Sequence, residues 1–259
     1  MIRVFGVTAV LLLGSISGAQ ADKVTECTRT GFCYCINTDL RGAIQQNITD
    51  IRAAIAAQRA AGKAVGYLSI PISSVAGSAF GENIKVAAEV KERVEERLGV
   101  HAAWLLNTGA KEFSLPAIAS GADYTLMWTN VLEGLDGLGD FDFVYFVGPS
   151  EFARHFGLTG KADLEKLEAY YDATAKTDAD LKKIDRRAFR DYYGLRASVA
   201  FSLGAHDEWD IIKTINQKRI ADAKLGIPKQ IGVFFDGAAV APGGLESPVA
   251  AGSAGACRD

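Results

Sequence analysis

The chain has 259 residues, with 28 lysines and arginines against 31 aspartates and glutamates and a net charge of −3. An acidic chain with no basic stretch offers no field for nucleic acid or another polyanion. The length suits one α/β domain or two small ones, with ample apolar surface to bury.

The first 21 residues, "MIRVFGVTAVLLLGSISGAQA", carry one positive charge at Arg3, an apolar run from Val4 to Leu13, and small residues at Ala19 and Ala21. They read as a secretory signal peptide cleaved before Asp22, which predicts a periplasmic or secreted protein with a single domain over residues 22–259. The apolar run falls short of the ~20 residues that span a bilayer, so no membrane span is expected after cleavage. In an oxidising compartment, Cys27, Cys33, Cys35 and Cys257 read as disulfides. Cys33 and Cys35 are too close to pair, so Cys257 is expected to join one of the other three while the remaining two pair locally. Three thiols in "CTRTGFCYC" also raise a zinc site, but their spacing contains no Cys-x-x-Cys pair, and neither a metal nor a cofactor is predicted.

Leu40, Ile44, Ile48, Ile51 and Ile55 mark one face of a helix, with Thr38 or Asp39 as its cap and Gly62 at its end. "AVGYLSIPIS" (64–73) reads as a buried strand, the loop "SVAGSAFGE" leads into a helix over 83–98, and "HAAWLLN" (101–107) reads as the next strand. A helix over 118–132 and the strand "FDFVYFVG" follow, and the segment 149–226 reads as a helical insertion broken near 157–160, 177–178 and Gly204. The strand "IGVFFD" (231–236) and an irregular tail over 237–259 complete the chain. Continuous apolar strands separated by helix-length crossovers predict an α/β fold, with a small parallel sheet of about four strands and flanking helices.

Ligands in open α/β sheets bind beyond the carboxyl ends of the strands. Those ends carry Ser73 and Ser74, Asn107, the stretch from Gly148 through Ser150 to Glu151, and Asp236. Pro149 fits the first helical position, which makes Gly148 the N-cap and puts Glu151 in the first turn, either complementing the helix dipole or serving as nucleophile or base. Gly77 and Gly81 could cradle an anion, but with no phosphate-binding motif the commoner reading is that Glu82 or Asn83 caps the next helix. In "RASVAFSLGAHDEWDI", Gly204 is expected to break a helix and Asp207 to start another. Arg196 and His206 then remain as catalytic helpers, or Arg196 as the structural partner of Glu151 or Asp236. No G-x-S-x-G elbow accompanies these serines.

With "GYLSIPIS" as first strand and "FDFVYFVGPSEF" as a later strand ending near a carboxylate, the chain resembles the nucleoside 2-deoxyribosyltransferase-like group over roughly residues 65–156. The resemblance implies a small parallel α/β sheet, cleavage of an N-glycosidic bond with Glu151 as nucleophile, and a pocket lined by Tyr67, Ser69 and Asn107. Gly-Pro-Ser-Glu stands where that family carries D-x-G-T-x-x-E-x-G. Three functions are weighed: an exported enzyme acting on an N-glycosidic or related bond, a non-catalytic binding or interaction protein with a small-molecule ligand, and a disulfide-pinned domain whose polar cluster is structural.

Overall fold

The computed structural model describes residues 22–72, 76–222, 230–241 and 255–257. The first 21 residues, read above as a signal peptide, Ser73 and most of the tail lie outside the described residues.

The first described residues form a hairpin that the sequence did not announce: β1 (Lys23–Cys27) pairs antiparallel with β2 (Cys33–Asn37). Cys27 and Cys33 face each other in its register and are joined by a disulfide, and Cys35 is joined to Cys257. The second bond closes a separation of 222 residues, for which the chain-entropy model gives roughly 5 kcal/mol. Glu133 is buried and grips the hairpin turn, accepting hydrogen bonds from Thr28 Oγ1 (2.5 Å), Arg29 N (2.9 Å), Thr30 N (3.1 Å) and the Thr30 hydroxyl. The hairpin is thereby fastened to the helical layer despite a short apolar content.

Helix α1 (Arg41–Ala60) buries Ile44, Ile48, Ile51 and Ile55, the stripe read from their spacing. Its entry is a 3₁₀ turn capped by Asn37, whose side chain accepts from Asp39 N at 2.9 Å, so neither Thr38 nor Asp39 is the cap. Gly62 ends the helix with φ +79°, a left-handed conformation that glycine adopts without penalty.

The main sheet comprises β3 (Ala64–Ser69), β4 (Ala103–Asn107), β5 (Phe143–Phe146), β6 (Gly232–Phe235) and β7 (Ala238–Ala239), in the order β4-β3-β5-β6-β7. The first four are parallel, and β7 turns back antiparallel to β6 through Asp236 and Gly237, both at positive φ. An Asp-Gly pair suits such a turn because both of its residues tolerate the left-handed region. At Gly66, in the middle of β3, a Cβ would collide with the Phe143 ring and Leu105. The neighbouring strands thus fill the space a side chain would need.

Helix α2 (Phe80–Leu98) packs against α4 (Pro149–His155), while α3 (Gly121–Glu133) packs against α1 and α7 (Leu203–Asp222). Between α4 and α7, α5 (Asp163–Thr174) and α6 (Arg186–Leu195) pair with each other. The expected helix over 118–132 begins later, at a capping box in which Ser120 and Asp123 bond reciprocally, and Ile118 is left exposed. The expected break at Gly204 also shifts. Helix α7 starts at Leu203 with Ser202 Oγ accepting from Ala205 N (3.4 Å), so Gly204 lies inside the first turn and Asp207 is a buried helical residue, not a cap. Among the described residues no helix is long and apolar enough to cross a membrane.

Candidate functional site

A cavity of about 600 Å³ opens beyond the carboxyl ends of β3 and β4, within the size range of small-molecule sites. Four parts of the chain build it. The segment after β3 supplies Ile70 and Ile72, and the turn after β4 supplies Thr108, Gly109 and Ala110. The start of α3 adds Tyr124, Thr125 and Trp128, and the approach to α7 adds Phe201 through Ala205. Phe80, Phe201 and Leu203 also line it and are each more than half exposed, which gives the mouth an apolar rim.

At the inner end stands Glu208. It shares the helical stripe of Ile211, Ile212 and Ile215, three and four residues apart, so the helix aims it inward with the core residues. Beneath it, Tyr67 and Ser69 project from the same face of β3, two residues apart, and both are fully buried. The Tyr67 hydroxyl donates to Glu208 Oε1, and Ser69 Oγ donates to Oε2 at 2.5 Å. Burial raises the Glu208 carboxyl to about 7, with Asp207 adding to the rise and the two hydroxyl donors opposing it. Burial and the adjacent Glu208 charge hold the Tyr67 phenol well above its ordinary value. The Tyr67 ring meets Trp128 and Phe141 edge-on at centroid distances of 6.1 and 5.4 Å, which fixes the platform from which it donates.

Compared with family models, curated proteins and solved structures, the chain gives no match.

The structure distributes the residues singled out from the sequence. Tyr67 and Ser69 hold the carboxylate of the cavity. Asn107 shapes one wall: its Oδ1 accepts from Gly109 N (2.9 Å) and bends the turn so that Thr108, Gly109 and Ala110 reach the cavity. At Gly109 a Cβ would lie 2.7 Å from Ile84 Cδ1, so a side chain there would push the Ile84 end aside at the cavity wall. Ser150 and Asp236 bond to each other instead of lining the cavity. Asp236 accepts from Ser150 N (3.0 Å) and Ser150 Oγ (2.5 Å), and so caps α4 from the end of β6.

Glu151, Arg196 and His206 are not brought together by any hydrogen bond or ion pair among the described residues. Glu151 is buried and accepts from Arg93 of α2 and from the Tyr145 hydroxyl, with Arg154 Nε 3.9 Å away. Arg196 is exposed at the end of α6, where its backbone N–H donates to Tyr192 O. His206 Nε2 donates to Ala200 O (2.9 Å) and fastens the segment that leads into α7. Of the "HDE" run, Glu208 is the residue that faces the cavity, and the sequence reading passed over it. The signal was a carboxylate in phase with the buried isoleucines Ile211, Ile212 and Ile215.

A second polar cluster lies between α2, α4 and α5. Buried Glu82 accepts from Lys85 Nζ (2.9 Å) and Tyr170 OH (2.6 Å) and meets His155 Nε2 at 3.1 Å, while His155 Nδ1 meets Glu89 at 2.9 Å. Burial alone would raise Glu82, but the hydrogen bonds from His155, Tyr170 and Lys85 outweigh it and lower the carboxyl to about 2. Burial would likewise lower His155, yet its two carboxylate partners raise it above 6.5. The cluster joins three helices and has no open space at its centre that the cavity reaches. Among the described residues no group of histidine, cysteine, aspartate and glutamate side chains could hold a metal ion.

Proposed function

We propose that this is an exported α/β protein that takes up a small, largely apolar molecule in the cavity, with Glu208 meeting its polar group. The observation that carries this reading is the placement of one carboxylate, held by Tyr67 and Ser69, at the inner end of an apolar cavity beyond the carboxyl ends of parallel strands. Two disulfides and the export-like first 21 residues support a periplasmic or secreted location.

Acid–base catalysis on the bound molecule is the second reading, and one observation favours it: a carboxyl raised to about 7 accepts and releases protons at neutral pH. Cleavage of a glycosidic bond ordinarily uses two carboxylates that flank the bond, whereas Glu208 is the sole acidic or basic side chain among the described residues lining the cavity. Binding therefore comes first and turnover second. The test is a thermal-shift screen of small neutral and charged molecules against the mature protein and Ala119→Trp, a substitution on the cavity wall. Stabilisers should lose their effect in the filled variant. Stabilisation that survives filling would place the ligand elsewhere and end this reading.

A further inference from the structure

We propose that the cavity selects an organic cation, a primary or secondary amine carried on an apolar or aromatic body. The inference rests on the binding function assigned above and names the charge class of the ligand.

The argument begins with the polarity of the lining. Among the described residues of the cavity wall there is no lysine, arginine or histidine, and the one charged side chain is Glu208. A ligand carboxylate or phosphate would enter a poorly hydrated space facing a carboxylate, with no cation to pair it. An ammonium meets the opposite situation. Both Glu208 oxygens already accept one hydroxyl, from Tyr67 and from Ser69, and each carboxylate oxygen has a further lone pair. A ligand group that completes the ionised carboxylate must be a donor, and a charged N–H is the strongest such donor.

The walls add to this preference. Trp128, Tyr124 and Phe113 line the same space, with the Trp128 ring edge-on to both Phe113 and Tyr67, at 6.0 and 6.1 Å. Aromatic rings around a desolvated ammonium attract it through their quadrupoles. Tyr67 links ring and carboxylate, since the phenol that touches Trp128 is the one that donates to Glu208. The other titratable groups near Glu208 are Asp207, Tyr67 and Tyr34, none of them cationic at neutral pH. Binding an ammonium favours ionised Glu208, and the proton it carries in the empty protein passes to the buffer.

Three probes with one body separate the head groups: 4-phenylbutylamine, 4-phenylbutanol and 4-phenylbutyrate, titrated calorimetrically into the mature protein at neutral pH. The amine should bind about tenfold or more tighter than the alcohol, and the acid weakest of all. Heats measured in two buffers of different ionisation enthalpy should show proton release for the amine alone. In Glu208→Gln the amine should lose its advantage over the alcohol measured in the same variant. Equal binding of all three, the acid binding best, or an amine preference that persists in Glu208→Gln would overturn the inference while leaving the cavity reading intact. Failure of all three to bind at millimolar concentration would remove the cavity reading and this inference with it. The wild-type series decides the matter even if the variant does not fold.

Discussion

Replacing Glu208 with glutamine should change the pH dependence of stability more than stability itself. A carboxyl at 4.5 in the unfolded chain and about 7 in the native cavity binds its proton more tightly when folded. Stability is therefore full below 4.5 and falls as pH rises through the native value. At roughly 1.4 kcal/mol per pH unit, the interval amounts to about 3 kcal/mol lost by pH 8. Glutamine keeps one acceptor for the hydroxyls of Tyr67 and Ser69 but presents an amide to the other. One hydroxyl must then turn, at a pH-independent cost of about 1 kcal/mol. The quantity to measure is the difference in unfolding free energy between wild type and Glu208→Gln, from urea titrations at unit steps between pH 4 and pH 8. The variant should gain about 3 kcal/mol on the wild type across that range. Stabilities that run parallel within about 1 kcal/mol would show that the cavity does not perturb Glu208 and would refute the desolvation argument.

Glu151→Gln leaves Arg93 without its buried charge partner and should destabilise by about 3 kcal/mol, while ligand-induced stabilisation through the cavity is retained; loss of binding at unchanged stability would return Glu151 to the site. Glu133→Ala strips acceptors from Thr28, Arg29 and Thr30 at once and should cost about 2 to 4 kcal/mol, with amide exchange of the hairpin rising ahead of global unfolding. Uniform exchange across the chain would contradict that order. The His155 clamp stabilises below 6.5 and weakens as pH rises through its higher native value, whereas Glu82 contributes above 4.5 and is lost as pH falls toward about 2. The histidine ring resonances should titrate above 6.5, and the advantage of wild type over His155→Gln should shrink toward pH 9; a midpoint below 6.5 would mean that burial, not the carboxylates, governs the ring.

The central strands β3 and β5 were legible because they are covered on both faces and therefore run apolar without alternation. The α1 stripe was legible for the equally simple reason that four isoleucines recur at helical spacing. The β1–β2 hairpin was hidden: β1 is nowhere fully buried, β2 is only five residues long, and the anchor of their turn, Glu133, lies about a hundred positions away. The entry to α7 misled because Gly204 looks like a break, while Ser202, a better cap, stands two residues earlier. For the candidate site, the strand-end reading named Asn107, and Tyr67 and Ser69 came from the family resemblance; the structure sets both of these against Glu208. Glu208 was missed because no local pattern separates a charge on a solvated helix face from one turned inward, except its phase against Ile211, Ile212 and Ile215.

The bond between Cys35 and Cys257, with Cys257 N donating to Thr25 Oγ1 at 2.9 Å, closes residues 35–257 into a covalent ring. The ring closes beside β1 and β2, so a short peptide linking Asp22 to Cys257 would keep the connection that the cystine makes. The ring could then be reopened at the exposed turn around Gly160. A permuted molecule of that kind would fold under reducing conditions, carrying the cavity with it.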